Sequence, residues 1–154
     1  MKRTLALACT ALSLLSASLA HAEVSVKEPW VRATVASQKA TGAFMQISST
    51  EPVRLVEVRS AAAKIVEVHE MKMEGDRMVM QAVNALDINP GTALELKPGG
   101  YHVMLIDLAK PVQAGDKVAL TLVLEDKNKK RSTVEVSADA RALGAAKPAM
   151  QHNH

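Results

Sequence analysis

A β-hairpin predicted over residues 64–83 constrains the fold of this chain more than any other feature. Two runs of strand-forming residues flank Gly75-Asp76. A two-residue loop with glycine in first place supplies the positive φ that a tight hairpin turn needs. The turn sets a register that pairs Glu74 with Arg77, Met73 with Met78, Met71 with Met80 and His69 with Ala82.

One face of this hairpin carries five side chains with soft donor atoms, because strand residues two apart point the same way. They are His69, Met71, Met73, Met78 and Met80. Met80 is then a diagonal neighbour of His69, about 7 Å away, which long side chains can span. A later predicted strand, 101–107, repeats the pattern with His102 and Met104. If it packs beside the hairpin, two imidazoles and several thioethers converge.

The chemistry of these donors favours one kind of metal ion. Imidazole and thioether together suit soft, monovalent copper. Calcium and magnesium prefer oxygen ligands, and structural zinc prefers thiolate or imidazole. The donor set therefore predicts a Cu(I) site.

The donors also occur at a recognisable spacing. Ten residues separate His69 from Met80, twenty-one separate Met80 from His102, and one separates His102 from Met104. This pattern resembles that of the periplasmic copper chaperones of the PCuAC family. Three further phrases resemble the family: Trp30-Val31-Arg32-Ala33-Thr34, Gly42-Ala43-Phe44-Met45 and Lys97-Pro98-Gly99-Gly100-Tyr101-His102. Many members have methionine after the first histidine, where this chain has Glu70, but that position faces away from His69.

The resemblance implies a cupredoxin-like fold and a Cu(I) site formed by His69, Met80, His102 and Met104. It also implies delivery of copper to a recipient, a cytochrome oxidase copper centre or its assembly factor. Met71 and Met73 share the ligand face and are possible accessory donors. Some members have a His/Met-rich extension that takes Cu(II). Here Met150, His152 and His154 could do likewise, or they could be incidental residues of an unstructured end.

The N-terminus has the features of a secretion signal. Residues 1–22 combine the positive Lys2-Arg3, an apolar run and the cleavage-like tripeptide Ala20-His21-Ala22. The only cysteine, Cys9, lies in this segment, so a mature protein without it lacks disulfides, thiolate zinc sites, iron–sulfur clusters and a blue-copper centre. We therefore expect a periplasmic protein with no membrane span after cleavage.

The remainder predicts one all-β domain, an antiparallel Greek-key β-sandwich over residues 23–137, followed by a flexible tail over 138–154. Short strand-like runs alternate with turn residues and no helical period stands out. The predicted strands cover 24–27, 30–35, 43–49, 54–59, 65–73, 78–83, 93–96, 101–108, 117–124 and 132–137.

Composition and motifs narrow the function. The chain has 19 basic and 16 acidic residues and three aromatic residues, which gives no case for nucleic-acid binding. No catalytic constellation is visible, since Glu67 and Asp107 lack an identifiable acid–base partner, so we expect a monomeric carrier and not an enzyme. Two alternatives stay open. One is a metal-free interaction module whose methionines fill the core, and the other is a copper-dependent redox enzyme.

Overall fold

Strands make up all the regular secondary structure of the computed structural model, which describes residues 22–142 and residue 144. This confirms the all-β prediction. The ten strands are β1 (Val24–Arg32), β2 (Ala40–Ser49), β3 (Val53–Arg59), β4 (Ala63–Glu74), β5 (Arg77–Ala82), β6 (Leu86–Ile88), β7 (Leu94–Leu96), β8 (Tyr101–Leu108), β9 (Lys117–Asp126) and β10 (Arg131–Arg141). Within the described part of the chain, no helix is long and apolar enough to cross a membrane.

The strands form one hydrogen-bonded network in the order β5-β4-β8-β7-β2-β1-β10-β9-β3-β6, with β8 also pairing directly with β2. Most neighbours are antiparallel, but β1 and β10 run parallel, as do β7 and β8 at a single pairing. A single hydrophobic core includes Ile47 and Val103 from one half of this order and Leu55 and Leu122 from the other. The sheet therefore folds over on itself and encloses the core between its halves.

Strand β9 contributes several of the most deeply buried side chains to this core. It pairs with β10 on one side and with β3 on the other. Leu120 and Leu122 are fully buried and Leu124 nearly so, as expected for a strand that is covered by side chains from the opposite half of the sandwich. The nearly continuous apolar run at 118–124 predicts a deeply buried strand, and most of these residues are buried, although Ala119 is exposed.

The largest differences between the predicted and the observed strands are at β1, β6 and β10. The first two strands are one, β1, whose pairing register shifts between Lys27 and Trp30. Pro29 has no N–H to donate, and Glu28 takes a left-handed φ of 49°, so the chain bulges there without leaving the sheet. Strand β6 was missed, because three residues give too little periodicity to detect. Strand β10 continues four residues past the predicted end at 137.

This extension of β10 changes the start of the predicted tail. Ala138 and Ala140 are buried, and Ala140 pairs with Val31 of β1. Small side chains fit here because two strands pack closely at the seam that joins the two halves. The predicted signal, 1–22, lies outside the described residues except for its last residue, and the rest of the predicted tail lies outside them except for 142 and 144.

Candidate metal centre

The hairpin of β4 and β5 has the register that its turn predicts. Gly75 has a φ of 61°, and Met71 pairs with Met80 while His69 pairs with Ala82. The soft donors therefore lie on one face of a two-stranded ribbon. Within the described residues, β5 lies at one edge of the network and has β4 as its single neighbour.

Strand β8 packs on the other side of β4 and supplies the second pair of predicted donors. His69 and His102 are direct cross-strand partners, and Glu67 is the partner of Met104. The two imidazole rings lie edge to face with centroids 6.0 Å apart. The topology thus brings together residues that are more than thirty positions apart in the sequence.

A backbone carbonyl fixes the orientation of His102. Its Nδ1 lies 3.0 Å from the Gly100 carbonyl oxygen, which only accepts hydrogen bonds, so Nδ1 carries the hydrogen and donates it. The same oxygen also accepts from the Met71 backbone N–H at 3.2 Å. The His102 Nε2 then keeps its lone pair, and it lies 3.2 Å from the Met80 sulfur.

In the contact between His102 and Met80, the Nε2 lone pair of the imidazole faces a lone pair of the thioether sulfur. A thioether sulfur has no hydrogen to give, and in this tautomer Nε2 has none either. Two ligands of one tetrahedral ion, with bonds of about 2.0–2.3 Å, stand about 3.5 Å apart. The observed separation is close to that value, so both atoms are placed to bind the same cation.

His69 is oriented by a carboxylate. Its Nε2 lies 2.7 Å from Glu67 Oε2. Its Nδ1 is buried and has no hydrogen-bond partner. In the described part of the chain, every other buried side-chain nitrogen or oxygen has one. A polar atom in that state costs free energy unless something else occupies its lone pair. The orphaned nitrogen therefore fits a metal ligand.

A cavity of about 210 Å³ opens beside these donors. It is lined by Arg32, Gly42, Phe44, Met71, Met80, Pro98, Gly99, His102 and Met104. Three of the four predicted ligands thus share this cavity, and His69 lies next to it across from His102. Of the possible accessory donors, Met71 lines the cavity, whereas Met73 points to solvent near the hairpin tip and is 58% exposed.

Two aromatic rings stand behind the site. Phe44 lies 6.3 Å from the His102 ring and 4.4 Å from the Trp30 ring, centroid to centroid. The guanidinium of Arg32 lies 5.5 Å above Phe44, a cation–π contact. Gly42 leaves room for this ring, since a Cβ there would lie 2.8 Å from Phe44 Cζ. Through these contacts the Phe44 ring forms part of the wall of the cavity, which Met71, Met80 and His102 also line.

Two charged side chains lie at the site, Glu67 beside His69 and Arg32 in the lining of the cavity. Within residues 22–142 and 144, no group of three or more His, Cys, Asp or Glu side chains could hold a metal ion. Burial, and secondarily Glu70, raises the pKa of the Tyr101 hydroxyl above its ordinary value. Asp107, at the far end of β8, has a pKa lowered by a hydrogen bond from Lys64. The donors that converge are neutral, which suits an ion of low charge and soft character.

The structure corrects one prediction about the site and adds residues to it. The turn at 97–100, just before His102, predicts an imidazole at an exposed rim of the sandwich, but His102 is only 6% exposed, whereas Met80 is 50% exposed. Sequence reasoning also gave no role to Glu67, Phe44 and the Gly100 carbonyl. Glu67 could have been found from its position, because it lies two residues before His69 on the same strand face. The other two depend on packing between distant strands.

Met150, His152 and His154, the predicted accessory donors of the tail, lie outside the described residues.

Comparison with known proteins places this geometry in context. The copper-bound PCuAC domain from PmoF2 is 26% identical, with a TM-score of 0.64, and the match covers 80% of this chain and 100% of that one. The solution structure of CuI-DR1885 from Deinococcus radiodurans is 27% identical, with a TM-score of 0.54 and coverage of 77% and 76%. These neighbours have a cupredoxin-like β fold. The predicted fold class is therefore confirmed.

The comparisons of sequence match a range of residues similar to that covered by the strands. "Putative lipoprotein Lxx21020" of Leifsonia xyli subsp. xyli is 34% identical over 106 residues, which are 67% of this chain and 63% of that protein. The chain thus spans less than two thirds of the length of this relative. A family model described as "Putative lipoprotein LpqE-like" matches residues 24–137. Because that match runs from the first residue of β1 into β10, the chain belongs to the LpqE-like family.

Proposed function

We propose that this protein is a copper chaperone that carries Cu(I) between His69, Met80, His102 and Met104. Its solved neighbours include a copper-bound PCuAC domain and a Cu(I) form of DR1885, and both are similar in fold and at least a quarter identical in sequence. Copper is the cargo of such a protein and not a cofactor for a reaction.

The observation that carries this proposal is the approach of His102 Nε2 to the Met80 sulfur at 3.2 Å. The Gly100 carbonyl holds the imidazole hydrogen on the other nitrogen. In the neutral tautomer two lone pairs therefore face each other without a hydrogen between them, an arrangement that a shared cation makes favourable. His69 Nδ1 and the Met104 thioether complete a neutral set of two nitrogens and two sulfurs.

The same geometry supports a carrier more than an enzyme. The cavity has a volume of about 210 Å³, less than the roughly 300 Å³ at the lower end for small-molecule sites. His102 is buried and doubly fixed, whereas Met80 is half exposed on the edge strand. A partner's donor can reach the ion from the Met80 side, and thioether ligands exchange readily because they are neutral and flexible.

We also propose that the protein works in the periplasm and hands copper to a cytochrome oxidase copper centre or to its assembly factor. The predicted signal over 1–22 supports export, and the family description names lipoproteins. We propose further that Met150, His152 and His154 form a weaker Cu(II) site, since imidazole tolerates the divalent ion better than thioether does. Deletion of 148–154 then lowers Cu(II) uptake and spares Cu(I) uptake.

Competition with a chromogenic Cu(I) chelator under anaerobic conditions tests the main proposal. The protein without residues 1–22 is expected to withdraw one equivalent of Cu(I) from the chelator. Met104→Ala is expected to withdraw much less, while its circular dichroism spectrum stays that of a β protein. A wild-type protein that leaves the chelator fully loaded would rule out the carrier, and the metal-free interaction module would then be the better description.

A further inference from the structure

Glu67 is the charged residue in direct contact with a proposed ligand. Its Oε2 accepts a hydrogen bond from His69 Nε2 at 2.7 Å. The Glu67 side chain is 45% exposed and that of His69 is 14% exposed, so the carboxylate reaches the ring from the solvent side. Because the two residues are two positions apart on β4, both side chains leave the same face of the strand.

This contact decides which imidazole nitrogen of His69 is available. A carboxylate only accepts hydrogen bonds, so the hydrogen of a neutral imidazole stays on Nε2 and the lone pair stays on Nδ1. That Nδ1 is the buried atom left without a partner. The His69 ring lies edge to face with His102, at 6.0 Å between centroids. The nitrogen with the free lone pair is thus Nδ1 of His69, the proposed ligand that lies opposite His102.

We infer that Glu67 is a positioning residue that holds His69 for metal binding through Nδ1, whereas His102 binds through Nε2. The inference rests on the proposed function and names the binding atoms of that same site. Each imidazole is set by an acceptor at its other nitrogen, the Glu67 carboxylate for His69 and the Gly100 carbonyl for His102. Acceptors of this kind fix both the tautomer and the ring direction of metal-binding histidines.

The position of Glu67 in the sheet also places it close to the other proposed ligands. It is the cross-strand partner of Met104, so its carboxylate lies beside the strand that carries two other ligands. Loss of an acceptor behind a metal-binding histidine costs about 10–100-fold in metal affinity. An ordinary exposed ion pair, in contrast, contributes little to stability and does not select a tautomer.

Histidine side-chain ¹⁵N NMR tests the inference, with Ag(I) as a diamagnetic, soft monovalent probe. The variants are Glu67→Ala, which removes the acceptor, and Glu67→Gln, which keeps an amide oxygen at the same place. Glu70→Ala is the matched control, since Glu70 is on the opposite face of β4 and contacts Gln81 at 3.4 Å. Spectra are recorded before and after one equivalent of Ag(I), and thermal melts check that each variant is folded.

Before Ag(I) is added, His69 is expected as the Nε2–H tautomer in the wild type, in Glu67→Gln and in Glu70→Ala, and as a tautomer mixture in Glu67→Ala. Ag(I) is then expected to shift Nδ1 of His69 and Nε2 of His102. The affinity for Ag(I) falls about tenfold or more in Glu67→Ala, falls less in Glu67→Gln and is unchanged in Glu70→Ala.

Two results would overturn the inference while leaving the proposed function in place. One is an Ag(I) shift at Nε2 of His69, and the other is a Glu67→Ala variant with wild-type tautomer and affinity. If Ag(I) moves neither histidine of the wild type, the proposed function itself fails and the assignment of Nδ1 fails with it. The tautomer measured without Ag(I) separates the two failures, because it depends on Glu67 alone.

Discussion

Strands β5 and β9 show how differently one sheet uses its edge and its centre. Strand β5 pairs with β4 alone, and five of its six residues are exposed. Strand β9 pairs on both sides, and six of its ten residues are buried. The proposed site uses a donor from β5, whereas the core depends on the leucines of β9. On these two strands, the proposed copper donor and the core side chains are therefore separate.

The difference has an energetic meaning. Full burial of a leucine contributes about 1.5–3 kcal/mol, and Leu120 and Leu122 are each fully buried. Met80 is half exposed, so its side chain contributes less to the core and is free to move between its rotamers. A side chain that must bind and release an ion needs conformational freedom, and it can have that freedom only where the stability of the fold does not depend on it.

The largest expected effect is on the β9 side of this comparison. Leu122→Ala leaves a cavity in the centre of the core and is expected to lower the free energy of unfolding by about 2–5 kcal/mol. Urea denaturation measures this loss. The Cu(I) affinity of the folded variant, measured at low urea, is expected to match that of the wild type, and a parallel fall in affinity would contradict the separation.

Gly42 lies beside the proposed site, because it pairs with Met104 and faces Phe44. Gly42→Ala places a Cβ 2.8 Å from Phe44 Cζ and is expected to cost about 1–3 kcal/mol by overpacking. It should also weaken Cu(I) binding, since the ring must move toward its neighbours at the site. The double variant Gly42→Ala/Phe44→Leu tests the cause, because leucine lacks Cζ and should recover much of the stability.

Met80→Leu addresses the β5 side and keeps the side-chain volume. Loss of a group that only supports a metal ligand already lowers metal affinity about tenfold. Loss of the sulfur ligand itself is therefore expected to reduce the Cu(I) affinity by at least that factor, with little change in Tm. Met78→Leu is the matched control, since Met78 is similarly exposed at 51% on the same strand face. Chelator competition compares the two, and equal losses would show that the hairpin methionines act as a group.

The smallest effect concerns acid sensitivity at the end of β9. Hydrogen bonds from Arg131 and then Lys129 lower the pKa of the Glu125 carboxyl below its ordinary value of 4.5. The stabilisation is present above the unfolded-state pKa and is lost as the pH falls through the lower, folded-state pKa. Glu125→Gln should therefore lower Tm slightly at pH 7, with a difference from wild type that shrinks toward pH 3. A constant difference would exclude the charge as its cause.

The hairpin could be predicted almost completely from the sequence, because its information is local. The Gly75 turn fixes the pairing, and alternation then fixes the face of every methionine. The strand-rich class and the central role of residues 118–124 follow from equally local patterns. The error at Glu28 and Pro29 has the opposite origin, since both residues signal a turn and only the pairing with β2 keeps them in the sheet.

The candidate site could be predicted as a set of residues but not as an arrangement. His69 and His102 meet because β8 pairs with β4 in one register, and no local pattern specifies that pairing. The burial of His102, the wall made by Phe44 and the role of the Gly100 carbonyl follow from the same long-range packing. Glu67 had a local signal, its position two residues before His69, but a carboxylate acquires this role only when the ring nitrogen is within reach.

Met80 is also the most exposed of the four proposed donor residues, so its thioether is the donor most open to oxidation. Oxidation to the sulfoxide places a polar oxygen on the sulfur and removes its soft character. The atom facing His102 would then be a hard acceptor in place of a thioether, with the backbone unchanged. An ion bound to that sulfur occupies a lone pair that an oxidant attacks, so protein loaded with Ag(I), which does not reduce peroxide as Cu(I) does, should survive peroxide better than empty protein.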